Sequence, residues 1–513
     1  MDRLRTLALC GAGLLLLLLS APQQTATVQA RRQATDVCAS LPSGSVADGT
    51  VWTVENSPYM VNCDLRVANT ASSLTIQAGV EVLFATGKRM RVEGPLTVDG
   101  SALDSVVFGS QQANPQRGDW RGIEIVEGTG AVVLKGLTVR HAGAPDSPTI
   151  AAVQVRREGA SLTDVTVEDS SGVGLMLERI TTATLKGLRI RRNVAAGLEV
   201  NESSAAKTTV ILEGSSFENN AEAVKAGGGV ELVLSGNSAQ GNKINGVLVK
   251  TTRIGFPMTW HGGDLPVVIG STLYVEEALT IEPGTLIKFN GTETNLRVSN
   301  KGSLAAVGTA EQRITFTAMA DDSTCSSATV ACDTGNDGPA APGPGSWATI
   351  EIGTGSVEGS RIAHTNVRFG GAGTSFKVPM FEIKKAGTQV TQSTFSSAGG
   401  TALRINDVSA VVSDSLFSGN GDDGINIGVT TPDSVTDNVV SVTGCRFEKN
   451  GGAAITSHPN AVLNQSGNAM SGDGLAPLSN KINGIRLAAG DITRPIVWQA
   501  GGLPYIVADR SKI

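Results

Sequence analysis

Aromatic residues make up only 4% of this 513-residue chain, and amphipathic helix patterns are nearly missing. Both shortages argue against a helical or mixed fold. The net charge is −6, small for this length, and no cluster of Lys and Arg relieves it. A protein that grips a phosphate backbone needs such a cluster, so nucleic acid is not an expected partner. Beyond the N-terminus no apolar run is long enough to span a bilayer. Histidine is also rare: His141, His261, His364 and His458 are all there are, and no two stand at metal-ligand spacing. Val, Ile, Leu, Thr and Ser are plentiful, in short runs punctuated by 62 glycines and by Asn. That is the composition of strands and turns.

The N-terminus reads as a secretory signal over residues 1–30. Asp2, Arg3 and Arg5 precede an apolar stretch from Leu7 to Leu19. Val28-Gln29-Ala30 fits the cleavage rule, with Ser20-Ala21 as a second site and an uncleaved anchor as the competing reading. No membrane span is expected once the signal is removed, and the expected location is secreted or at the cell surface. Export permits disulfides among the five cysteines that follow Cys10. Cys38–Cys63 and Cys325–Cys332 are the expected pairs, leaving Cys445 as a buried, inert thiol.

Internal repeats organise the rest. Trp260-His261-Gly262-Gly263-Asp264-Leu265-Pro266 returns as Trp498-Gln499-Ala500-Gly501-Gly502-Leu503-Pro504, with a weaker relative at Trp52. Leu74-Thr75-Ile76 answers to Leu279-Thr280-Ile281, and Ile123-Glu124-Ile125 to Ile350-Glu351-Ile352. The implied organisation is an N-terminal segment or cap (31–51), a first copy (52–259), a second copy (260–497) with an inserted loop at 317–346, and the start of a third (498–513). That last stretch reads either as a piece of a longer array or as a cap.

A finer period runs inside each copy: a small residue, then apolar-x-apolar. Gly174-Leu175-Met176-Leu177, Gly197-Leu198-Glu199-Val200 and Gly246-Val247-Leu248-Val249 are examples, with starts mostly 22 to 31 residues apart. A second strand run lies between them, as at Leu162–Val167, Leu185–Ile190 and Val210–Phe217. Alternate apolar side chains would face a narrow interior, and each coil would pair in parallel with its neighbours. The expected fold is therefore all-β, a parallel β-helix or solenoid. Asn193, Asn219, Asn237, Asn420 and Asn450 recur after strands, where Asn suits left-handed turns and stacked ladders.

These coils resemble the right-handed parallel β-helix proteins of the pectate-lyase-like group. The stretch Leu279 to Gly308, with its Leu-Thr-Ile-Glu-Pro-Gly opening, is similar to the first coils of bacterial extracellular β-helix repeat proteins. The resemblance implies right-handed coiling and either a surface scaffold or a protein that binds, cleaves or epimerises polysaccharide. Polygalacturonase-type members carry paired Asp, a Gly-His-Gly and an Arg-x-Lys. Here Gly421-Asp422-Asp423-Gly424 supplies paired acids suited to general acid and base work, but neither companion motif follows. Asp422 and Asp423 are thus the candidate catalytic pair, set against an ordinary turn before a coil.

The five tryptophans all fall at repeat positions, which points to bracing. A row after the second strand reads Arg140, Glu168, Arg191, Glu218, Ser235, then Arg368, Ser396, Ser418, Glu448 in the second copy. Its mixed signs suit a solvated face better than an acidic-glycan track. Arg156-Arg157, matched by Lys384-Lys385, reads as a turn with exposed cations. The inserted loop makes the Phe316–Trp347 interval 19 residues longer than Phe108–Trp120. It holds Asp321, Asp322, Asp333 and Asp337, and Asp333 to Gly338 faintly suggests a calcium loop without the closing acid, since Pro344 takes that place. The expected function is a non-enzymatic surface scaffold, adhesin-like or weakly glycan-binding, with no obligatory cofactor. The alternative is a polysaccharide lyase or glycoside hydrolase acting in a groove along the coils.

Overall fold

The computed structural model describes residues 34–507, apart from positions 42–43, 70, 102, 145, 148–149, 204–205, 325–332, 373–377, 429–437 and 471–478. The signal segment and the expected Cys325–Cys332 pair lie outside the described residues. Among the described residues, short strands stack into five sheets in which every pairing is parallel. One sheet of sixteen strands runs through the whole stack. Sheets of nine and eight strands accompany it in the N-terminal half, and sheets of ten and eight in the C-terminal half. No helix among the described residues is long and apolar enough to cross a membrane.

Alternation builds the core. Ile123 and Ile125 point inward from Gly122–Ile125, while Glu124 between them faces out. Coil by coil, Met90, Ile123, Val153, Leu175, Leu198, Val224 and Val247 stand in register, all buried. The equivalent interior of the C-terminal half carries a stack of Phe395, Phe417 and Phe447, each ring 5.2 Å from the next. Burying one such side chain stabilises by roughly 1.5–3 kcal/mol.

Each second strand run proves to be two strands in two different sheets. Leu162–Val167 divides into Ser161–Thr163 and Thr166–Glu168, and Val210–Phe217 into Thr208–Glu213 and Ser216–Glu218. The break is a left-handed residue at the corner, Asp164 (φ 54°) or Gly214 (φ 56°), which turns the chain without ending the apolar alternation. The coil therefore has three faces. Polar ladders pin the corners. Asn193 donates from Nδ2 to Asn220 Oδ1, Asn220 to Asn242 and Asn242 to Asn245, each at 2.9 Å. Asn420, Asn450 and Asn480 form a second ladder. Asn219 is not a rung: it takes the left-handed turn (φ 55°) and leaves Asn220 to bond.

Sequence-equivalent strands change sheets near residue 250. Gly122–Ile125 belongs to the sixteen-stranded sheet, but its counterpart Thr349–Ile352 belongs to the ten-stranded one. The step occurs where Val247 pairs with Val267, and it recurs where Ile485 pairs with Tyr505. A small cluster of buried apolar residues holds Ala151, Val173 and Met176, and the two large ones part at the first of these steps. A cavity of ≈ 30 Å³ lies there, lined by Val230, Leu232, Val247, Ile254, Trp260 and Leu265. The change of cross-section leaves this packing gap, with room for about one water.

Candidate functional site

Asp422 and Asp423 occupy the turn before Ile425–Gly428, but only one of them is open to solvent. Asp423 is buried, at 1% exposure. Its Oδ1 accepts the Ala453 N–H at 2.8 Å, and Arg486 Nη2 approaches Oδ2 at 3.3 Å from two coils further on. Asn426 Nδ2 lies 3.4 Å from Oδ2. Asp423 thus joins three successive coils. Asp422 is half-buried, and its backbone bonds to Gly400 and Gly452.

The outward row of the ten-stranded sheet was not picked out in the sequence. Arg297, Glu351, Glu382, Arg404, Asn426, Thr456 and Arg486 stand in register along it. Lys384 Nζ sits 2.9 Å from Glu382 and 3.5 Å from Glu351, and Asn406 Nδ2 donates to Glu382 at 2.7 Å. In the N-terminal half the matching row sits on the sixteen-stranded sheet, where Arg89 and Arg91 hold Glu124. Arg91 and Arg66 also hold Glu93, and those two guanidiniums keep its carboxyl below the usual carboxylate range. A signal was available: the middle residue of each apolar-x-apolar triplet is the outward one.

The charged row read from the sequence is a true column, with one correction. Arg140, Glu168, Arg191 and Glu218 are in register, but Gln240 follows Glu218, because Ser235 belongs to a different sheet. Arg157 is a second correction. It is not an exposed turn cation but buried at 7% exposure, its guanidinium facing the carbonyls of Val126 (2.9 Å), Gly94 (3.2 Å), Thr129 (3.3 Å), Gly130 (3.4 Å) and Val92 (3.4 Å).

The histidines do not converge. His261 lies between Glu282 (2.9 Å) and Glu231 (3.3 Å), one on each ring nitrogen. His141 and His364 adopt left-handed turns (φ 60° and 47°), and His458 accepts the Asn460 N–H. Burial lowers the basicity of His141 and His458. The tryptophans brace coils: Trp120 stacks on Phe84 and Trp347 on Phe289, each at 4.2 Å, and their Nε1–H groups donate to the Arg140 and Arg368 carbonyls. Cys445 is buried, its thiol pushed up to about 11 by desolvation.

The described residues of the insertion pack onto the outer side of the stack. They cover Lys288, whose side chain is fully buried although it points away from the core. Arg368 pairs with Asp321 at 2.6 Å. The carboxylates of Asp322, Asp333 and Asp337 come within 4.8 Å of one another, so the fold does gather the suspected cation ligands Asp333 and Asp337. Two features compete with a cation there. Asp333 accepts the N–H groups of Asp337 and Gly338 at 2.9 Å, and the Lys288 ammonium stands 3.5 Å from Asp322. The loop also reaches the end of the first ladder, where Asn245 donates its N–H to the Thr334 carbonyl (2.8 Å) and its Nδ2 to that of Asp333 (2.7 Å).

Among solved structures, a periplasmic alginate epimerase mutant is similar at 8% identity, covering 80% of this chain and 77% of that one, with a TM-score of 0.20. The catalytic domain of an alpha-1,3-glucanase in complex with nigerose is similar at 12% identity, 83% and 68% coverage and a TM-score of 0.23. Tailspike protein 3 of bacteriophage CBA120 is similar at 15% identity, 80% and 60% coverage and a TM-score of 0.22. A search of curated protein sequences finds no match. The family model described as "Right handed beta helix region" matches residues 122–261. With parallel three-faced coils on both sides of that region, the chain is a right-handed parallel β-helix.

Proposed function

We propose that this chain is a non-enzymatic β-helix scaffold working outside the cytosol, structural or adhesin-like, with polysaccharide as its partner. The observation that carries the non-enzymatic reading is the state of Asp423. A general acid or base must reach substrate and exchange its proton. Asp423 is instead buried, with a backbone N–H and an arginine on its carboxylate. The polar rows support the same reading, since their charges are matched across coils by partners such as Lys384 with Glu351 and Glu382. The Cys38–Cys63 disulfide supports an oxidising compartment. A row of Arg, Glu, Asn and Thr side chains on the ten-stranded sheet offers hydrogen-bonding groups to sugar hydroxyls without demanding a charged glycan.

A glycan-array screen of the full chain tests binding. An assay for new unsaturated or reducing ends on pectin, alginate and related polymers tests chemistry. Binding without turnover is the expected result. Turnover abolished by Asp422→Asn or Asp423→Asn would favour the polysaccharide lyase or hydrolase reading instead.

A further inference from the structure

Lys288 and Asp322 form an ion pair that is poorly satisfied as ions. Lys288 stands on Leu286–Phe289, between the core residues Ile287 and Phe289, and its side chain has no solvent exposure. An ammonium has three protons to place. Among the described residues it has one hydrogen-bond acceptor, the Met319 carbonyl at 3.3 Å, and a longer contact of 3.5 Å to Asp322 Oδ1. Both carboxyl oxygens of Asp322 are buried and accept no conventional hydrogen bond among the described residues. A buried ion pair is stable only with close geometry and its remaining donors and acceptors met. Neither condition holds here.

We propose that Lys288 and Asp322 condense to an intramolecular amide, a lysine–aspartate cross-link that ties the insertion covalently to the stacked coils. An amide suits the site better than two ions. It needs one acceptor for its single N–H, and the Met319 carbonyl is already in place. The reaction has the groups it requires. Within the pair, the Lys288 ammonium passes a proton to the Asp322 carboxylate, which leaves a free amine against a neutral acid. The free amine lone pair then attacks Cγ of Asp322 in its neutral acid form. A C–N bond forms, a C–O bond breaks, and the hydroxyl departs as water with one proton. No electrons are transferred and no co-reactant is consumed. The strand and the described part of the insertion hold the two groups together, which removes the entropic part of the barrier to joining them.

Peptide mapping of the folded, full-length chain after reduction and denaturation tests this. The expected product is a branched peptide joining the Lys288 strand to the insertion. It should be lighter by one water than its two parts, with no tryptic cleavage at Lys288. Lys288→Arg and Asp322→Ala should each restore linear peptides of full mass. Wild-type protein that yields only linear peptides cleaved at Lys288 would overturn the proposal, whether or not either variant folds. A water deficit that survives Lys288→Arg would overturn it as well.

Discussion

Phe417 is the middle ring of the stack formed with Phe395 and Phe447, at 5.2 Å on either side and with interplanar angles of 9° and 11°. It has no solvent exposure. Phe417→Ala removes the ring and leaves a cavity that rigid neighbouring coils cannot close, a change that costs about 3–5 kcal/mol. Two ring contacts are lost at once, each worth about 0.5–1.5 kcal/mol beyond burial, so the upper part of that range is expected. In a solenoid each coil touches only its neighbours, so the loss should stay local. Hydrogen exchange read by mass spectrometry is the suitable assay, because it reports stability segment by segment. Amides of Leu416–Ser418, and of the neighbouring Thr394–Ser396 and Arg446–Glu448, should exchange roughly a thousandfold faster, the equivalent of about 4 kcal/mol. Amides of Leu198–Val200, many coils away, should be unchanged. Equal acceleration in both regions would refute the nearest-neighbour reasoning, and a cost under about 1 kcal/mol would refute the stacking.

Three further outcomes are expected. Arg157→Ala should destabilise the N-terminal half by about 2–4 kcal/mol in urea unfolding, because it strips donors from several buried carbonyls. Glu93→Gln should lower stability at neutral pH. Since the folded carboxyl of Glu93 is depressed, its contribution is present above the ordinary carboxylate range and lost as pH falls through the folded value, so the gap between variant and wild type should close in acid. Cys445, with its thiol near 11, should resist a thiol reagent at neutral pH in the native protein and react fully on unfolding.

Much of the scaffold was legible in the sequence, because one local rule repeats. A small residue followed by apolar-x-apolar marks the inward side chains, and Leu175, Leu198 and Val247 do fall in one column. The number of faces was not legible, because a left-handed Asp or Gly at a corner leaves the alternation intact, so two strands read as one. The same ambiguity put Ser235 where Gln240 stands. The change of face near residue 250 depends on how Val247 meets Val267 across a boundary, and no local pattern encodes that pairing. The site was less legible still. Asp422 and Asp423 look alike in sequence, and only the approach of Ala453 and Arg486 separates them. Arg157 resembled a surface cation until the carbonyls of two earlier coils closed around it. Lys288 sits at an outward position, and its contacts with Met319 and Asp322 come from more than thirty residues further along the chain.

The most direct test of the stacked coil is a spin-label distance along one column. Labels at Arg66 and Lys225 stand six strand steps apart on the sixteen-stranded sheet. At about 4.8 Å per step their backbones should be separated by about 29 Å, and moving the second label to Glu199 should shorten the distance by one step. A separation that does not track the number of intervening coils would contradict the fold, and the reading of its surfaces with it.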